Sequence, residues 1–162
     1  TVNKRNAAGR VGVIIEKTIP RAFIPNEMRF STVRIMSYDD RNPQGVLESQ
    51  AEDEPQSFQN LTQLLLMLDH IADELGCPQR SRTQRFLVRN APPARGESGQ
   101  TPPERPLASF RIGIMFRQNM SWQGTCEWLE ENKSANFRSA LELVQLMDGV
   151  LAGPQKPREP KI

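Results

Sequence analysis

In the segment "FRIGIMF", Phe110, Ile112, Ile114 and Phe116 alternate with Arg111, Gly113 and Met115. A period of two with one apolar face predicts a half-buried strand. After a polar turn, Trp122, Gly124, Cys126 and Trp128 alternate with Gln123, Thr125 and Glu127, which predicts a second strand. "LEENKS" then supplies a turn and "SANF" a short third strand. Ser139 and Glu142 stand in an S-x-x-E capping box, whose hydroxyl and carboxylate can satisfy free backbone N–H groups. Behind that box, Ala140, Leu143, Val144, Met147 and Leu151 form the apolar stripe of a helix. Gly153 is suited to end the helix in the left-handed conformation.

The same succession occurs earlier in the chain. Val33 and Ile35 alternate with Arg34 and Met36, and Gly45 and Leu47 with Gln44, Val46 and Glu48. The acidic "QAEDEPQ" takes the place of the second turn. Asn60 and Gln63 can cap a helix striped by Leu61, Leu64, Leu65, Leu68, Ile71 and Leu75, with Gly76 at its end. Sliding the chain by 79 residues superposes the two stretches without a gap across residues 33–71. Ile35, Met36, Gln44, Gly45, Glu48, Phe58, Leu64 and Asp69 fall on Ile114, Met115, Gln123, Gly124, Glu127, Phe137, Leu143 and Asp148. Hairpin falls on hairpin and helix on helix, so the pattern predicts a duplication. The expected fold is α+β: two pseudo-symmetric β-β-β-α repeats, with antiparallel sheets each covered by one amphipathic helix. The sheets can join edge to edge or pack face to face.

Charge divides the chain along the same boundaries. A basic N-terminal arm, 1–29, has six basic and two acidic residues, and its "RVGVIIEKTI" run can form one strand. The following "PRAFIPNEMRF" reads as extended, since Pro25 disfavours helix just before it. Repeat 1, 30–78, has two basic and nine acidic residues. A basic, proline-rich linker, 79–106, has six and two; repeat 2, 107–152, has four and five; the tail, 153–162, has three and one. The linker stretch "RNAPPARGESGQTPPERP" has nothing aliphatic larger than alanine, so it cannot offset its ordering entropy by burial. "SRTQRFLVR" before it can extend a helix or add a strand at the sheet edge.

Several function classes lose their support. No apolar run approaches the ~18 residues of a membrane span, and Val11–Ile15 is too short for a signal-peptide core, so the expected location is cytoplasmic. Cys77 and Cys126 are far apart and read as reduced thiols. With one histidine, His70, a His/Cys metal site lacks ligands. No nucleophile–base set, P-loop or G-x-G-x-x-G is present, and the acid pairs fall in turns. The expectation is a protein that is not an enzyme and carries no cofactor or metal.

Binding residues are sought on the sheet face that the alternation turns away from the helices. The candidates are Arg34, Met36, Tyr38, Gln44 and Glu48, with Arg111, Met115, Arg117, Gln123 and Glu127, and the two tryptophans of the second hairpin, Trp122 and Trp128. Arg80, Arg82, Arg85 and Arg89 are candidate basic contacts for phosphate.

Three resemblances bear on these residues. "FRQNMSWQG" followed by "FRSALELVQLMD" resembles a small uncharacterised bacterial family, over residues 22–76 and 108–151, and implies no activity. Tandem sheet-plus-helix repeats resemble the architecture of PUR and Whirly proteins, which implies binding of single-stranded nucleic acid on a curved sheet; the glycine-rich PUR signature is absent. Asn119, Ser121 and Gly124, in the order N-x-S-x-x-G, resemble the second half of the PilZ signature, which implies cyclic di-GMP; the R-x-x-x-R segment of that family is missing upstream. The leading expectation is a protein-interaction or assembly module whose basic arms lie along a macromolecular partner, with homo-oligomers allowed. Single-stranded nucleic-acid binding is the alternative.

Overall fold

The computed structural model describes residues 26–80, 84–89 and 91–153. The N-terminal run "RVGVIIEKTI", Arg82 and all but the first residue of the tail lie outside them. The fold is α+β, with one antiparallel six-stranded sheet and two helices. In chain order the elements are β1 (Phe30–Ser37), β2 (Gln44–Ser49), β3 (Gln56–Phe58), α1 (Leu61–Leu75), β4 (Ala108–Phe116), β5 (Gln123–Trp128), β6 (Lys133–Phe137) and α2 (Ala140–Leu151).

The strand order is β3-β2-β1-β4-β5-β6. Of the two sheet arrangements open to the sequence, edge-to-edge joining is the one found. β1 pairs antiparallel with β4, from Phe30 opposite Gly113 to Ile35 opposite Ala108. Both helices pack on one face. Val33, Ile35, Leu47, Phe58, Phe110, Ile112, Ile114 and Phe137 of the sheet form a single core with Leu64, Met67, Leu68 and Ile71 of α1 and Leu143, Met147 and Leu151 of α2. Side chains such as Phe58, Phe110 and Phe137 are fully buried, each contributing on the order of 2–3 kcal/mol through loss of water contact.

The helix starts follow the sequence with one adjustment. The Asn60 side chain accepts from Gln63 N at 2.7 Å, and the Gln63 side-chain oxygen accepts from Gln59 N at 2.8 Å. Ser139 Oγ accepts from Glu142 N at 3.1 Å, and Glu142 accepts from Arg138 N at 3.1 Å. The reaching side chain therefore serves the residue before the cap rather than the cap itself. Gly76 ends α1 at φ 62°, as expected. Gly153 does not do so for α2. There Ala152 stays right-handed (φ −92°) and donates its N–H to Asp148 O.

The β1–β2 and β4–β5 hairpins turn in the same unusual way. Asp40 and Arg41 have φ of 51° and 58°, and Asn119 and Met120 have 53° and 60°. Two consecutive left-handed residues match the right-handed twist of the flanking strands. Gly45 and Gly124 stand inside β2 and β5, as the alternation predicts.

Three expectations for connecting segments need correction. Asn26–Arg29 forms a short 3-10 turn rather than extended chain. Residues 84–89 form neither helix nor strand. The linker is irregular, yet part of it is held by the sheet. Gln56 bridges Ser98, and Ser57 N donates to Glu97 O at 3.0 Å, so residues near 97 lie along the outer edge of β3.

Candidate functional site

The sheet face opposite the helices is the surface on which the sequence concentrates its candidates. Arg34 Nε donates to Glu48 Oε2 at 2.9 Å, and Arg34 also reaches Ser109 Oγ at 3.5 Å. Arg111 pairs with Glu127 at 3.3 Å, directly across the β4–β5 ladder, and its guanidinium lies 3.7 Å from the centre of the Phe30 ring. That stacking is a cation–π contact. Gln44 accepts from Ser37 Oγ at 3.4 Å. Met36 and Phe116 are exposed at 55% and 54%, and Met115 is half-buried beside Gly113. Gln123 stands opposite Phe116. Met36, Gln44, Glu48, Arg34, Arg111, Met115, Gln123 and Glu127 are thus gathered on one face.

Tyr38, Arg117, Trp122 and Trp128 are not on it, which corrects the sequence expectation. Register shifts fall between Ile35 and Ser37 and between Ile114 and Phe116. At such a bulge two successive residues stand opposite one, so the alternation changes parity. Tyr38 and Arg117 therefore turn to the helix side. Trp122 and Trp128 keep the parity of Cys126, which faces the core; Trp122 is buried and Trp128 packs against the core.

On the helix side these residues build a polar seam. Arg117 is 3% exposed. It donates to Asp73 Oδ1 at 2.6 Å, to Asp69 Oδ1 at 3.3 Å and to Pro78 O at 2.7 Å. Arg80 also donates to Asp69 and Asp73, and Trp122 Nε1 donates to Asp69 at 3.3 Å. The Tyr38 hydroxyl donates to Asp148 Oδ1 at 2.7 Å, and Arg41 lies 3.4 Å from the same carboxylate. Each helix is thereby tied to a hairpin of the opposite half of the chain. Burial, then the hydrogen bond to Asp148, pushes the Tyr38 phenol up from 10.0 to about 12. A raised folded value means that the contact stabilises below pH 10 and is lost as pH rises through about 12. Tyr38 is the only tyrosine. An ultraviolet titration of the phenolate should therefore give a midpoint near 12, moving toward 10 in Asp148→Asn.

The remaining candidates separate. Arg80 is consumed by the seam, Arg82 lies outside the described residues, and Arg85 and Arg89 are exposed. Between the last two, Phe86, Leu87 and Val88 are exposed at 56%, 106% and 74%. His70 pairs with Glu74 at 2.9 Å. Cys126 is buried, and burial followed by Glu127 pushes its thiol up to about 11; Cys77 is half-exposed. In the native protein a thiol-specific reagent should modify Cys77 and leave Cys126 until the chain unfolds, which a thiol count before and after denaturant checks. Among the described residues no group of three or more His, Cys, Asp or Glu could hold a metal ion. No helix among them is long and apolar enough to cross a membrane.

The sequence reading missed Phe30, Phe116, Asp69 and Asp73. Asp69 had a signal, because it matches Asp148 at the 79-residue shift. No protein-family model, curated protein or solved structure matches the chain.

Proposed function

We propose that this chain is a non-enzymatic binding module whose partner is another protein, met by the open face of the sheet. The observation that carries this reading is the neutralisation of that face. Arg34 and Arg111 are each engaged by a glutamate, so the face offers apolar Met36 and Phe116 among neutral and internally paired groups. Such a surface suits a protein contact, where charged residues are depleted at the core and Met and aromatic residues enriched. Phosphate recognition needs free cations instead; Arg34 and Arg111 on this face are paired, Arg117 is buried and Arg80 is engaged, which leaves Arg85 and Arg89 as the exposed candidates.

The architecture supports this reading as two pseudo-symmetric β-β-β-α repeats. Under the 79-residue shift β2 falls on β5, α1 starts where α2 starts, both hairpin turns are left-handed, and both bulges coincide. The seam obeys the same relation, since Tyr38 and Asp148 map onto Arg117 and Asp69. Thr32 stands opposite Arg111, its own equivalent, so an approximate two-fold axis runs between them. A two-fold face favours an elongated partner lying across β1 and β4.

An affinity pull-down from cell lysate, with and without nuclease, tests the reading. A protein partner should survive nuclease and be lost when Met36 and Phe116 are both replaced by glutamate. Retention that depends on nucleic acid, with binding to single-stranded RNA or DNA at ~50 mM salt that weakens steeply as salt rises, would replace it.

A further inference from the structure

A cavity of about 200 Å³ lies between β2, β3, α1 and the linker residues 94–98. Leu47 and Met67 give it an apolar floor, and Glu52, His70, Glu74 and Arg95 line it. The linker wall is fixed in place: Gln63 Nε2 donates to Arg95 O at 2.9 Å, and Glu97 N donates to Ser57 Oγ at 3.3 Å. His70 and Glu74 satisfy each other. Glu52 and Arg95 do not. Both face the cavity, yet they form no ion pair with each other, and neither side chain has a hydrogen-bond or ion-pair partner among the described residues.

A carboxylate and a guanidinium held apart across a small cavity with an apolar floor present opposite charges to one molecule. We propose that the cavity binds a free α-amino acid, with its ammonium group on Glu52, its carboxylate on Arg95 and its side chain over Leu47 and Met67. A simple anion would meet two carboxylates, and among the described residues no three side chains converge for a metal ion. The volume is below the roughly 300–1,000 Å³ of pockets for drug-sized ligands, which fits a molecule of this size. Burial, with Glu74 adding to it, pushes the Glu52 carboxyl up against the opposing pull of His70 and Arg95, so an arriving cation would relieve the cost that remains. Because Arg95 belongs to the linker, occupancy would fasten that segment to β3.

Calorimetric and thermal-shift titrations of the full chain with each common amino acid test the proposal. At least one should bind below about 10 mM, a binding free energy near −3 kcal/mol. Its N-acetyl form and its carboxamide should each bind at least about tenfold more weakly, as should the free amino acid to Glu52→Gln and to Arg95→Gln. Both residues lie at the surface, so the melting temperatures of the unliganded variants should stay near that of the parent. Where a variant fails to fold, the blocked ligands on the parent chain decide. Absence of binding by every amino acid, equal binding of the blocked forms, or indifference to both substitutions overturns the proposal.

Discussion

Asp69→Ala should lower the unfolding free energy by about 3 kcal/mol, the low end of the range for breaking a buried ion pair. The Asp69 carboxylate receives Arg80, Arg117 and Trp122 Nε1 together. Arg117 cannot turn to water, because it is 3% exposed. Asp73 still holds it at 2.6 Å, which is why the low end applies. Denaturant unfolding should show a reduced midpoint with an unchanged slope. A loss below about 1 kcal/mol would mean that the seam is solvated and behaves as a surface pair. The same cluster predicts a dependence on pH. Burial pushes the Asp73 carboxyl up, but the hydrogen bonds from Arg80 and Arg117 overcome this and hold it below 3.8. A depressed folded value stabilises above pH 3.8 and is lost as pH falls through the lower folded value. Parent stability should thus fall off on the acid side of 3.8, and less so when Arg117 is replaced by methionine.

Gly124→Ala and Gly45→Ala should each cost at least about 3 kcal/mol, the upper end for overpacking. A β-carbon on Gly124 would lie 1.9 Å from Gly113 O, and one on Gly45 would lie 1.9 Å from Arg34 O. These are backbone atoms of the neighbouring strand, so no rotamer change relieves the collision. The strands could accept the methyl group only by parting at the bulge, where Gly45 opposes Ile35 and Gly124 opposes Ile114. Gly149→Ala is the internal control. It is exposed in α2, with nothing within 4 Å of the added carbon, and should stabilise by about 1 kcal/mol through helix propensity. One chemical change therefore has opposite signs at different positions, and thermal unfolding of the three variants reads the contrast directly. Equal small effects at all three would show that the hairpins carry no close backbone approach.

Elements governed by local periodicity were legible in the sequence. The stripe Leu64, Leu68 and Ile71 and the alternation Phe110, Ile112 and Ile114 both turn inward as expected. The caps at Asn60 and Ser139 were legible too, because a cap is a contact three residues long. Parity beyond a bulge was not. A bulge adds one residue without any fixed residue type, so Tyr38 and Arg117 kept the outward sense of Arg34 and Arg111 in the sequence pattern. The alternation places Gly45 and Gly124 in strands but gives no reason for glycine there. Only the distance to the neighbouring carbonyl shows what excludes a side chain there. For the candidate face, the sequence located the arginines and glutamates but not their pairing, which depends on cross-strand register. The cavity at Glu52 and Arg95 required the linker to fold back on β3, and nothing in a proline-rich stretch signals that return.

The ties from Tyr38 to Asp148 and from Arg117 to Asp69 bear on the chain's continuity. Each half carries a helix whose anchor belongs to the other, and the β1–β4 ladder joins them without help from the linker peptide bonds. A chain severed between Val88 and Ala91 would keep every one of these contacts. It would become an obligate pair of fragments, each needing the other to fold, whose melting temperature rises with fragment concentration. Fission of the gene at that point would yield a heterodimer, and a substitution at Asp69 in one fragment could be compensated only by its companion.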